Sequence, residues 1–220
     1  MSRHLQIEIE KLKKKIFELC AMVEESVLSS VRSVIRHDTE LAQKLIDNDS
    51  AIDMMEIDVE EDCLKILALH QPVAIDLRFI VAALKINSDL ERIGDLAVNI
   101  AERSLMLATL KNTHAVKYDF TKMSEKAIGM VKKSLDAFVN FDPQLSIQVC
   151  TSDDEVDELH REMYAVFKRE VSRNIDSIDV MLQYMSISRS LERIADHATN
   201  IAEDVVYITE GDIVRHRINT

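Results

Sequence analysis

Thirteen residues of this chain are written twice. Leu90-Glu91-Arg92-Ile93-Gly94-Asp95-Leu96-Ala97-Val98-Asn99-Ile100-Ala101-Glu102 returns as Leu191-Glu192-Arg193-Ile194-Ala195-Asp196-His197-Ala198-Thr199-Asn200-Ile201-Ala202-Glu203, at a constant offset of 101 and with ten positions identical. The identical positions include every carboxylate, the arginine and the asparagine. A repeated apolar pattern alone would specify little, because many residues fill a core. A fixed Glu-x-x-x-Asp-x-x-x-Asn-x-x-Glu set specifies chemistry, so the chain must fold to present one polar device in two places.

What carries the device follows from the scarcity of turn residues. Only 3 Gly, 2 Pro and no Trp occur among 220 residues, beside 10 Met and 30% charged side chains, a composition of long helices. A hydrophobic content of 47% suffices for a real core. No stretch approaches the roughly 18 uninterrupted apolar residues of a membrane span, and the start Met1-Ser2-Arg3-His4-Leu5-Gln6-Ile7-Glu8 has no signal-peptide core. Cys20, Cys63 and Cys150 are odd in number and lack Cys-x-x-Cys spacing, which points to reduced thiols packed as small apolar residues in a cytoplasmic protein. A net charge of −12 disfavours nucleic acid and favours cations or basic partner surfaces.

Breaks correspond between the halves. Asp38-Thr39-Glu40-Leu41-Ala42 matches Asp142-Pro143-Gln144-Leu145-Ser146, and Asp49-Ser50-Ala51-Ile52-Asp53 matches Asp153-Asp154-Glu155-Val156-Asp157, both at an offset of 104. The spacing predicts helices over Gln6 to His37, Thr39 to Asp47, Asp49 to His70 and Leu77 to Leu107. The second half repeats them over Asp119 to Asn140, Pro143 to Thr151, Asp153 to Arg173 and Ile178 to Tyr207. Asp38 and Asp49 suit N-caps, and Gln71-Pro72 ends the third segment because proline cannot continue the ladder. Lys111-Asn112-Thr113-His114 is the expected joint. Short connections make neighbouring helices antiparallel, so the expected fold is all-α, two tandem pseudo-symmetric three-helix bundles over residues 1–110 and 111–220. Phe17, Phe79, Phe167 and the methionines are expected in the core.

On a helix Glu91 lies above Asp95, with Asn99 and Glu102 continuing the stripe away from the apolar face of Ile86, Leu90, Ile93, Ala97 and Ile100. Folding the hairpin near Val73-Ala74 brings Asp53 opposite Asp95, Glu56 opposite Glu91 or Arg92, and Asp49 opposite Asn99. The second hairpin, turning near Ile175-Asp176, brings Asp157 and Asp153 toward Asp196 and Asn200, and His160 toward Glu192. Glu203 closes the second stripe as Glu102 closes the first. Two acidic stripes meeting along each hairpin repel, and a cation would offset that. Oxygen-rich sites with at most one imidazole suit Mg, Mn, Ca or Fe, with Zn admissible, and several carboxylates allow multinuclear clusters. His160 is either a ligand of the second site or a solvent-exposed residue; His197 is a partly packed one. Against the metal stands a plainer reading, in which Arg92 with Asp95 and Arg193 with Asp196 are ordinary i,i+3 pairs on solvated faces of a metal-free structural adaptor. A carboxylate-bridged di-iron, ferritin-like protein is a third reading, although no Glu-x-x-His occurs. No phosphate-cradling Gly-rich loop and no nucleophile elbow is present, so no active site is expected.

These motifs resemble the PhoU family of phosphate-signalling proteins. The Glu91-x-x-x-Asp95 and Glu192-x-x-x-Asp196 motifs, each in a Leu-Glu-Arg-Ile-x-Asp context before Asn-Ile-Ala-Glu, resemble the family's paired motifs, and Leu69-His70-Gln71-Pro72-Val73-Ala74-Ile75-Asp76-Leu77-Arg78 resembles its first hairpin turn. The resemblance covers essentially the whole chain. Asn174-Ile175-Asp176-Ser177-Ile178-Asp179 departs from the first turn and lacks the Gln-Pro. The resemblance implies two tandem three-helix bundles whose acidic motifs hold metal, in some members as multi-iron clusters. It also implies a noncatalytic negative regulator of the phosphate-starvation response. Such a protein links a phosphate ABC transporter ATPase to a membrane sensor histidine kinase, reaches the membrane only through those partners, and assembles as a homo-oligomer, a dimer.

Overall fold

Apolar residues of the first long segment recur in alternating steps of four and three, at Leu5, Ile9, Leu12, Ile16, Leu19 and Val23, and all are buried. That spacing forces one continuous helix with a single packed seam. The computed structural model describes residues 3–110 and 118–210. Among these the chain forms helices α1 (Arg3–Arg36), α2 (Thr39–Asp47), α3 (Ser50–His70), α4 (Ala74–Thr109), α5 (Thr121–Asn140), α6 (Pro143–Arg173) and α7 (Ile178–Glu210), with a 3₁₀ turn at Ile175–Ser177 and no strand. Helices α1, α3 and α4, with the short α2, make one three-helix bundle; α5, α6 and α7 make the other. The expected joint at 111–114 lies outside the described residues.

Helix ends fall within three residues of the expected positions, and two expectations fail in kind. Asp38 caps α2 by accepting from the Leu41 amide at 2.9 Å, and Asp142 caps α6 through the Gln144 and Leu145 amides, with Pro143 in the first turn. Asp49 holds the N-cap position of α3 but has helical backbone angles and makes no side-chain capping bond, so its carboxylate is left for other partners. The second exception is the break expected after Thr151, which does not occur: α6 runs unbroken from Pro143 to Arg173. There the Thr151 and Ser152 hydroxyls donate back to the Gln148 carbonyl at 3.0 and 2.8 Å, binding to the helix rather than opening it.

Helix α4 packs on α7 as extensively as α6 does, so the bundles are joined along their second hairpin arms. One apolar core runs through both, and Phe79 of α4 stacks on Phe138 of α5 with ring centroids 4.8 Å apart. Phe17 does not join it. Ile16, Leu19 and Cys20 occupy the seam of α1 and Phe17 falls beside it, exposed, as are Met54 and Met106. The three cysteines are free and buried; desolvation pushes the Cys20 and Cys63 thiols up to about 12 and that of Cys150 to about 11, so they pack as apolar residues and are held in the thiol form.

Candidate metal centre at two acidic hairpins

Each hairpin brings its two acidic stripes together. In the first, burial raises the Asp49 pKa, with help from Asp53 of its own helix and Asp95 of α4. Burial likewise raises Glu91, reinforced by Asp95, Asp53 and Glu56 and opposed by Arg92. Glu56 is raised by burial and then by Glu60 and Asp53. The five carboxylates Asp49, Asp53, Glu56, Glu91 and Asp95 therefore share one field across α3 and α4. Arg92 straps both motif carboxylates, at 3.1 Å from Asp95 and 3.3 Å from Glu91. Asn99 is exposed further along α4, and Glu102 lies against Arg103 at 3.8 Å.

The second hairpin is more enclosed. Asp153 is pushed up to about 7 by burial and then by Asp196, Asp157, Glu192 and Asp154. Desolvation also raises Glu192 and, although its side chain is open to solvent, Asp196, each further raised by Asp157. Asp153 Oδ1 and Glu192 Oε2 are buried and accept no hydrogen bond, an arrangement that costs free energy unless a proton or cation meets it. The expected direct pair between Arg193 and Asp196 is not made, although Arg193 still acts on both motif carboxylates; Arg189, one turn earlier, pairs with Glu192 at 2.6 Å. Glu203 is close enough to Cys150 to act on its thiol, so it borders the cluster, whereas Asn200 is exposed.

His160 is buried, which removes the solvent-exposed alternative. Its Nδ1 lies 2.8 Å from Ser188 Oγ, and that hydroxyl donates to Met123 Sδ at 3.6 Å. A neutral His160 that donates Nδ1–H to Ser188 would present its lone pair on Nε2, the form a metal requires. Burial, with Arg189, holds the pKa of His160 below its usual value. His197 is partly packed and bonds through Nδ1 to Asp89 at 2.8 Å.

Sequence reasoning passed over two residues. Asn87 donates to the Glu56 carbonyl and to Glu56 Oε1 at 2.8 and 3.0 Å, and Ser188, 101 residues later, occupies the matching place against His160. Both sit four residues before a motif glutamate, on the same stripe. They were hidden because the repeat is not identical there.

The donors fit hard or borderline cations: carboxylates from two helices in each half, unpartnered buried oxygens in the second, and at most one imidazole. Among the described residues, no three His, Cys, Asp or Glu side chains are already drawn together tightly enough to hold an ion.

The PhoU domain family matches the chain twice, over residues 16–104 and 120–205, taking in both acidic hairpins. The chain belongs to the PhoU family. A relative from Aquifex aeolicus named phosphate-specific transport system accessory protein PhoU homolog is 37% identical, the alignment covering 96% of this chain and 95% of that one. A Pseudomonas putida relative of the same name is 34% identical over 98% of this chain and 84% of its own. The crystal structure of PhoU from Pseudomonas aeruginosa superposes with a TM-score of 0.85 at 33% identity, over 94% of this chain and 99% of that one. The phosphate transport system regulatory protein PhoU from Streptococcus pneumoniae gives the same TM-score at 29% identity. The PhoU fold of two three-helix bundles is therefore the fold of this chain.

Proposed function

We propose that this protein is an accessory protein of a phosphate-specific transport system, acting as a noncatalytic adaptor that carries metal on its two acidic hairpins. The observation that carries the first part is the end-to-end match to relatives bearing that name. In finer terms it is a cytoplasmic negative regulator of the phosphate-starvation response, working between the transporter ATPase and a sensor histidine kinase. Support for the metal is the donor set with its orphaned Asp153 and Glu192 oxygens. A bound cation would neutralise the carboxylates of each pair of facing helices and stiffen the hairpin.

A deletion strain compared with its parent in plentiful phosphate tests the regulation: the expected result is starvation genes expressed only in the deletion strain, and equal repression in both would sink it. The metal is tested by elemental analysis of protein prepared without chelator. Replacing Glu91, Asp95, Glu192 and Asp196 with alanine should empty the protein of metal while leaving it helical, and unchanged metal content would refute the sites.

A further inference from the structure

The duplication supplies an internal control for surface residues, and one face fails it. On α3, Met54 is 69% exposed and Ile57 and Leu64 are each 52% exposed. They share a stripe nearly opposite the buried Ile52, Val59, Cys63 and Ile66, so no described helix covers them. At the matching positions α6 carries Glu158, Arg161 and Lys168, all exposed, with Arg161 and Glu158 paired at 2.9 Å. The same place in the same fold is therefore an ordinary charged surface in one half and apolar in the other, although exposed apolar side chains gain nothing in water.

Charge says what belongs there. Asp53 and Glu60 border the stripe on one side and Asp58 on the other, and Glu61 lies within it. Lys65 is the only base of α3 besides His70, and it is drawn to Glu61 and Asp62 at 3.7 and 3.6 Å. A second copy of the chain would set this acidic rim against its own image, and an anionic membrane would meet the same repulsion.

We infer that the outer face of α3 is a docking site for a basic amphipathic helix of a partner protein, its apolar residues lying on Met54, Ile57 and Leu64 and its lysines or arginines on Asp58, Glu60 and Glu61. The contact length, about 15 Å from Met54 to Leu64 at 1.5 Å per residue, is three turns of such a helix. Recognition is of the helix-on-apolar-stripe type, with specificity set by the flanking charges.

The probe is a synthetic helical peptide of about 18 residues, with leucines along one face and flanking lysines, titrated into the full-length protein beside a twin in which glutamate replaces lysine. The lysine peptide should bind at one site per chain and weaken as salt rises; the glutamate twin should not bind. The triple variant Met54→Glu, Ile57→Arg, Leu64→Lys, which copies the residues of α6, should lose at least about tenfold in affinity. Conversely Glu158→Met, Arg161→Ile, Lys168→Leu combined with Tyr164→Glu and Ala165→Glu, which supplies the acidic rim that α6 lacks, should raise the stoichiometry from one to two. Binding that survives the first triple variant, equal binding of both peptides, or no binding of either overturns the inference. So does self-association of the wild type that the first triple variant abolishes, since that makes the occupant a second copy. Metal content in the first triple variant should equal that of the wild type, which separates failure here from failure of the metal reading.

Discussion

Among the described carboxylates, Asp153 is the one whose chemistry is most displaced by the fold. Its carboxyl rises from an ordinary 3.8 to about 7, with burial the first cause and the neighbouring carboxylates the second. Because the folded form holds the proton more tightly than the unfolded chain, the resulting stability is present below pH 3.8 and is lost as pH rises through about 7. Metal-free protein should accordingly be more stable at pH 5 than at pH 8. For a fully enclosed group the shift would amount to about 4 kcal/mol, but Asp153 is only half-buried, and solvent screening reduces the expectation to about 1–2 kcal/mol. Denaturant melts of Asp153→Asn at both pH values check this: the variant should be the more stable at pH 8 and lose most of the difference between the two. Saturating metal should reverse the slope for the wild type, because a ligating carboxylate must be unprotonated.

At the scale of helices, the repeat made the two hairpins and the facing carboxylates legible, because Asp53 with Asp95 and Asp157 with Asp196 sit at fixed distances from recognisable turns. The Asn87–Glu56 and Ser188–His160 contacts were not legible, since each pairs a different residue type in each half and no shared spacing announces it. Nor was the continuity of α6, which depends on hydroxyl groups choosing a helical carbonyl over a cap. One packing relation did leave a trace. A Cβ on Gly94 would stand 3.2 Å from two carbons of Ile52. The second half has the larger Ala195 and the smaller Val156 at the corresponding positions. Gly94→Ala alone trades up to about 1 kcal/mol of helix propensity against crowding, and Ile52→Val alone costs about 0.5–1.5 kcal/mol. The double variant should be more stable than the two single effects sum to, by about 0.5 kcal/mol or more. A thermodynamic cycle from denaturant titrations measures it, and strict additivity would contradict the contact.

Across the whole molecule, polar contacts tie α4 to α7 at the seam between bundles. Lys85 reaches Asp204 at 2.8 Å, where the carboxylate side chain is 6% exposed. Arg78 donates to the Ile208 carbonyl at 3.0 Å, and Asp89 meets His197. Removing the lysine takes this cation from a buried carboxylate, and Lys85→Met should cost about 1–3 kcal/mol, less than a fully buried pair because the lysine is partly in water. Adding Asp204→Asn should restore most of that loss. Thermal melts of the single and double variants decide, and a double variant no better than Lys85→Met would show that the pair is not the cause.

The shared core has a consequence for descent. A molecule assembled from two identical copies of one half would have to carry identical residues on both acidic hairpins, and any change to one would be imposed on the other. Joining the copies in a single chain removes that obligation. Glu56 in one half stands where His160 stands in the other, Ser88 where Arg189 stands, and Ile57 where Arg161 stands. Each site is thereby free to be tuned alone, and mutations can separate the two where symmetry would have kept them equal.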